Sequence, residues 1–98
     1  MRIAGFRHKG LQRLYLKEEA KGVPPVMVDK LRKLLLAMDT ANSLDQLDRF
    51  PGWKLHPLKG ELKGYWSLTV TGDWRLIFEY DAGGNTASSL DLIDYHGK

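Results

Sequence analysis

The sequence predicts an α+β domain: two N-terminal helices packed on one face of a small antiparallel sheet. Three observations carry that expectation. The chain has 98 residues, 43% hydrophobic and 28% charged, which is one ordinary globular domain spanning residues 1–98. Apolar residues recur at helical spacing in its first part. Strand-like runs with period-2 alternation then follow one another from Tyr65 to Tyr95. Helices and strands that segregate along a chain point to α+β.

Ile3-Ala4-Gly5-Phe6 reads as a short N-terminal strand. From Gly10 to Ala20, Leu11, Leu14 and Tyr15 share one helical face, and Gly22 is a suitable stop. Lys9, Arg13, Lys17 and Lys21 recur every fourth position, so this helix carries a basic stripe. Pro24-Pro25 suits the first turn of a second helix, because the missing N–H costs little there. That helix runs to about Asp39 and turns Met27, Leu31, Leu34 and Met38 inward. Ser43-Leu44-Asp45-Gln46 matches a capping box for a short third helix with Leu44 and Leu47 inside. The Pro- and Gly-containing stretch from Phe50 to Gly64 reads as mostly loop.

Three strands follow: Tyr65–Thr71, Trp74–Tyr80 and about Ala87–Tyr95, the last two joined by a turn at Gly83-Gly84-Asn85. Trp66, Leu68 and Val70 alternate on the first, and Trp74, Leu76 and Phe78 on the second. A two-residue loop at Gly72-Asp73 puts the two sets on opposite faces. A three-residue loop, Thr71-Gly72-Asp73, puts them on the same face, which burial strongly favours. The three-residue loop is therefore preferred, with Asp73 left-handed at its end. Ser67, Thr69, Arg75, Ile77 and Glu79 then share the other face, expected to be an open, concave working surface.

Composition narrows the function. Cysteine is absent, which excludes disulfides, thiolate ligands and a cysteine nucleophile and fits a reducing cytoplasm. The longest apolar run, Leu34 to Met38, is too short for a membrane span, and the N-terminus lacks a signal-peptide core. Net charge is +3, unevenly placed: residues 1–33 carry nine Lys and Arg against three acids, and residues 34–98 six against nine. A basic half suggests a polyanion or an acidic protein partner.

Polar groups that could carry chemistry gather on or beside the Arg75 face: His56, Lys59, Arg75 and the terminal Asp94-Tyr95-His96. Imidazoles exchange protons near neutral pH, and Lys and Arg stabilise charge that grows on phosphate oxygens. Such a set suits acid–base chemistry on a phosphodiester. Read alone, each residue also fits a plainer role, and composition and spacing rank binding above catalysis. Asp94, His96 and His56 could supply three metal ligands, but nothing else in the sequence supports a metal, so none is expected. The glycines are scattered and form no phosphate-binding loop. His8, at a strand-to-helix junction, is expected at the surface or as a cap.

Phe6-Arg7-His8-Lys9-Gly10-Leu11, Gly22-Val23-Pro24, Lys54-Leu55-His56-Pro57-Leu58-Lys59-Gly60, Gly64-Tyr65-Trp66-Ser67, Trp74-Arg75-Leu76 and Asp94-Tyr95-His96 together resemble the HigB-type toxins of the RelE superfamily, bacterial toxin–antitoxin proteins. The resemblance covers nearly the whole chain. It implies a RelE-like fold and a ribosome-dependent, metal-independent mRNA endonuclease that cuts codons in the ribosomal A site and needs no cofactor. A ribose 2′-hydroxyl would attack the neighbouring phosphate. By motif match His56, Asp94, Tyr95 and His96 are the proton-transfer and orienting residues, with His96 favoured as base or acid, and Lys59 and Arg75 grip the phosphate. Gly97-Lys98 extends beyond the triplet, and Asp73 adds an acid at the hairpin tip. The implied partners are the 70S ribosome with its mRNA and a HigA-like helix-turn-helix antitoxin, with DNA met only through the antitoxin and no membrane. Lys9, Arg13, Lys17 and Lys21 would serve ribosomal RNA or an acidic antitoxin surface. A ribosome-independent ribonuclease and a non-catalytic antitoxin-binding module are the competing readings.

Overall fold

A computed structural model describes residues 1–95, so His96, Gly97 and Lys98, and with them the expected role of His96, lie outside the described residues. The chain runs β1 (Arg2–Ile3), α1 (Lys9–Lys17), α2 (Val28–Thr40), β2 (His56–Pro57), β3 (Tyr65–Thr71), β4 (Trp74–Asp81) and β5 (Thr86–Asp94). Single 3₁₀ segments fall at Pro25–Met27, Leu44–Arg49 and Gly60–Leu62. The strands form one sheet in the order β1-β5-β4-β3-β2.

The α+β layout holds, with two differences in the sheet. It is mixed: β1 lies parallel to β5, and Phe6 adds a further parallel bridge to Leu90. Parallel neighbours need a long connection, and the chain between β1 and β5 contains both helices and the strands β2 to β4. The sheet also gains β2 at its far edge, antiparallel to β3, within a stretch expected to be loop. Two residues, one of them Pro57, carry no alternation to read. The segment holds to β3 through backbone bonds from Thr69 to Trp53 (2.8 Å) and from Leu58 to Tyr65 (2.8 Å). Phe50 stacks on Trp53 at 4.0 Å, and Lys30 of α2 stands 5.3 Å over the Trp53 ring, so the segment also meets α2.

Helix α1 ends at Lys17, where Glu18 turns left-handed (φ 54°), short of the expected Ala20. Lys21 therefore leaves the stripe and sits in the following turn. Gly22 has a different task from stopping a helix. A Cβ on Gly10 would come within 2.0 Å of the Gly22 carbonyl oxygen, so the start of α1 and this turn touch backbone to backbone. His8 caps α1: its Nδ1 accepts from the Leu11 N–H at 3.1 Å. Pro25 opens a 3₁₀ turn that leads into α2, and α2 ends at Thr40. The buried Met1 ammonium donates to the carbonyls of Met38, Asp39 and Ala41, meeting the negative end of that helix. Ser43 makes no side-chain cap; only Gln46 reaches back, to the Asn42 N–H at 2.7 Å.

The β3–β4 hairpin puts both apolar sets on one face, as expected, by a different device. Trp66 pairs with Phe78 and Leu68 with Leu76, yet Thr71 pairs with Trp74 across a two-residue turn. A bulge between Thr69 and Thr71 absorbs the extra residue, and Gly72 (φ 46°), not Asp73, takes the left-handed conformation. Leu68, Val70, Leu76, Phe78, Leu90 and Leu92 join Leu11, Leu14, Leu31, Leu34, Leu35 and Met38 in one core cluster. Both helices thus cover the same face of the sheet.

Candidate active site on the helix-free face

The second face of the sheet takes its residues from the alternation set by the core. His56, Ser67, Ile77 and Asp91 form one rung across β2 to β5. Thr69, Arg75 and Ile93 form the rung towards the β3–β4 turn, and Tyr65 and Glu79 the rung on the other side. The face is less open than the sequence suggests. Ser67 and Ile77 are 0% and 1% exposed. Among the described residues the buried Ser67 and Thr69 hydroxyl oxygens have no hydrogen-bond partner; a buried hydroxyl left so costs about 1–3 kcal/mol.

His56 is half-buried, and its Nδ1 lies 2.7 Å from the Lys54 carbonyl oxygen. A carbonyl only accepts, so Nδ1 carries the hydrogen and the neutral ring keeps an unprotonated Nε2. Lys54 is held left-handed (φ 50°), a conformation that sets this carbonyl against the ring and that costs energy for a non-glycine residue. The imidazole is fixed in tautomer by its own loop.

Arg75 folds back on the hairpin. Its Nη1 donates to the carbonyls of Gly72 (2.6 Å) and Trp74 (3.0 Å). A guanidinium has five donors, so this anchoring is compatible with a second grip on an anion. The Tyr95 N–H donates to the Asp73 carbonyl at 2.6 Å, which brings Tyr95 to the same turn. Continued alternation past Ile93 puts Tyr95 on the Arg75 face. Two strand spacings, about 10 Å, separate the β2 and β4 backbones that carry His56 and Arg75.

The other expected residues are placed differently. Asp94 pairs with Trp74, so it projects towards the helix side of the strand end, away from the Arg75 face. Lys59 is exposed and follows Leu58, which bonds to Tyr65. It stands at the Tyr65 end of β3, about 13 Å of strand from the Thr69–Arg75 rung. The remaining stripe residues Lys9, Arg13 and Lys17 are exposed on α1, on the opposite side of the sheet from His56. Among the described residues, no group of three His, Cys, Asp or Glu could hold a metal ion, and no helix is long and apolar enough to cross a membrane.

One cation on this face escaped the sequence reading. Arg7 Nη1 donates to the Tyr65 hydroxyl at 3.3 Å. That contact above all, then the charges of Asp91 and Glu79, raises the guanidinium pKa above its ordinary value. Tyr65 could have been placed on the face by counting back from Ser67. Nothing in the sequence alone says that Arg7, far away in the chain, reaches it.

A mixed sheet of this order backed by two helices is the fold of the RelE-like toxins. YafQ from E. coli superposes with a TM-score of 0.61 at 21% identity, covering 94% of this chain and 91% of that one. The YoeB–YefM complex from Staphylococcus aureus matches with a TM-score of 0.53 at 25% identity, over 98% and 99% of the two chains. Within that class the chain belongs to the HigB-like family: residues 4–96 match the model of the RelE-like toxin HigB of type II toxin–antitoxin systems. The endoribonuclease HigB of Proteus vulgaris is 45% identical over 94 residues, 96% of this chain and 99% of that protein.

Proposed function

We propose that this toxin cuts mRNA on the ribosome, in the codon presented at the A site, and thereby stops translation. The endoribonuclease class follows from membership of the HigB family and from the near-full-length relative of that name. The observation that carries the chemistry is His56, whose Nδ1 is held on the Lys54 carbonyl so that the neutral ring offers Nε2 as its acceptor, on the same face as Arg75. An imidazole in that state accepts the 2′-hydroxyl proton. The 2′-oxygen then bonds to the adjacent phosphorus, the P–O5′ bond breaks, and the 5′-oxygen takes a proton. The products are a 2′,3′-cyclic phosphate and a 5′-hydroxyl. His56 and His96 share the two proton transfers. Tyr95 orients the substrate, and Arg75 meets the charge that grows on the phosphate oxygens; Asp94 and Lys59, placed away from that rung, are left out of the proton transfers. No metal or cofactor takes part.

The ribosome enters because the catalytic face has little basic area of its own, while the cations of α1 lie on the other side of the sheet. A short substrate held by the ribosome supplies the positioning that the face lacks. Lys9, Arg13, Lys17 and Lys21 meet ribosomal RNA phosphates. The cognate antitoxin is of the helix-turn-helix type, and DNA is met only through it. The site of action is the cytoplasm, where ribosomes are, and residues 1–98 act as one domain. Expressed alone, the chain arrests bacterial growth, and co-expression of the antitoxin relieves it. Unimpaired growth with abundant folded protein would count against the whole reading.

A further inference from the structure

We propose that Arg7, Tyr65 and Glu79 form a nucleobase-reading subsite for the substrate RNA, beside the acid–base residues; this rests on the endoribonuclease reading above. Backbone geometry fixes Arg7 first. The Leu90 carbonyl accepts from both the Arg7 N–H (2.8 Å) and the His8 N–H (3.1 Å), and the Leu90 N–H donates to Gly5 (3.1 Å). The next residue then caps α1. Arg7 is thus clamped between a sheet bridge and a helix cap. Its exposed side chain extends from the β5 side of the sheet to the Tyr65 hydroxyl on β3.

Register places this group next to the chemistry. Tyr65 pairs with Glu79, two residues along from the rung that carries His56, about 7 Å on the same face. Glu79 is exposed but held: its Oε1 accepts from the Ser89 hydroxyl at 2.6 Å. Ser89 has φ 55° at the bulge where the β4–β5 register shifts. A strained residue that aims its hydroxyl at a carboxylate keeps that carboxylate in one orientation.

The chemistry of the three residues selects the occupant. Glu79 and Asp91 both lie beside Arg7, so the patch has no excess of positive charge and is a poor seat for a phosphate. A guanidinium plane, a phenol ring and a carboxylate are what an unstacked RNA base needs: surfaces to stack on, donors for its acceptors and an acceptor for its amino group. The carboxylate favours adenine, cytosine or guanine, which carry an exocyclic amino group, over uracil, which carries none.

The test uses the full-length toxin and ribosomes programmed with mRNAs whose A-site codon is varied one base at a time. Single-turnover cleavage rates are compared for the wild type, Glu79→Gln and Arg7→Lys. At one codon position, Glu79→Gln is expected to shift the ratio of amino-bearing base to uracil by about tenfold towards uracil. Arg7→Lys keeps the charge but loses the planar fork, and it blurs the preference at the same position. Unchanged ratios at all three positions in both folded variants overturn the inference, even where the rates fall uniformly, because a purely structural Arg7–Tyr65 contact does just that. Failure of the wild type to cut any codon overturns the endoribonuclease reading itself, and the subsite with it.

Discussion

At the scale of single residues, the candidate site works by committing one half of a group and leaving the other half available. His56 gives Nδ1 to its own loop, and Arg75 gives Nη1 to the hairpin carbonyls. The two residues were singled out by side-chain chemistry and motif: Arg75 was placed by strand alternation, and His56 by the loop that leads into the sheet; their carbonyl partners appear only in the structure. Arg7 could not be placed from the chain alone, because its partner lies 58 residues away. Replacing His56 with Ala should lower the single-turnover cleavage rate by about a hundredfold to ten-thousandfold with an unchanged melting transition. A folded variant that cuts at the wild-type rate removes His56 from the chemistry. A second residue-scale prediction concerns stability. The Tyr15 hydroxyl donates to Asp39 at 2.5 Å, and that bond, with burial second, pushes the phenol up to about 12. A raised pKa stabilises the protonated form, so the contribution is full below the ordinary value near 10 and fades as pH rises through about 12. The difference in melting temperature between wild type and Tyr15→Phe should therefore shrink between pH 10 and 12. A difference that stays constant over that range contradicts the assignment.

At the scale of elements, the helices and the long strands were legible because periodicity spans several residues in each. Met27, Leu31, Leu34 and Met38 are all buried, as their spacing requires. What the chain hides are devices one or two residues long. β2 has two residues and no pattern, and the bulge in β3 replaces a longer turn without changing which side chains face the core. Gly10 is a third such device. Its helical spacing argues for Ala, which helix propensity favours by up to about 1 kcal/mol. The contact with the Gly22 backbone argues the other way, because neither partner is a flexible side chain that can yield. Overpacking of this kind costs about 1–3 kcal/mol or more, so the clash prevails. Gly10→Ala should lower the melting temperature by several degrees. An equal or higher value would show that α1 and the Gly22 turn can separate at no cost.

At the scale of the whole molecule, the sheet divides the protein into two working sides. The helices bury one face and carry the cations of α1 outwards; the other face carries His56, Arg75, Tyr65 and Arg7. The uneven charge along the sequence anticipated a basic half, but not that a sheet stands between it and the chemistry. Lys9→Ala combined with Arg13→Ala should therefore weaken ribosome binding and flatten its salt dependence. The effect should fall on affinity rather than on the single-turnover rate at saturating ribosomes. A reduced single-turnover rate with unchanged affinity would place the stripe in the chemistry instead. The central claim is that a metal-independent site, positioned by the ribosome, cuts mRNA in the A-site codon. The most direct measurement maps 5′ ends on programmed ribosomes and on the same transcript free in solution, with wild-type protein and folded Arg75→Ala. The account predicts new 5′-hydroxyl ends within the A-site codon for the wild type, a strong reduction for Arg75→Ala, and almost no cutting of the free transcript. Equal cutting of free and ribosome-bound RNA, or wild-type cutting by Arg75→Ala, would contradict it.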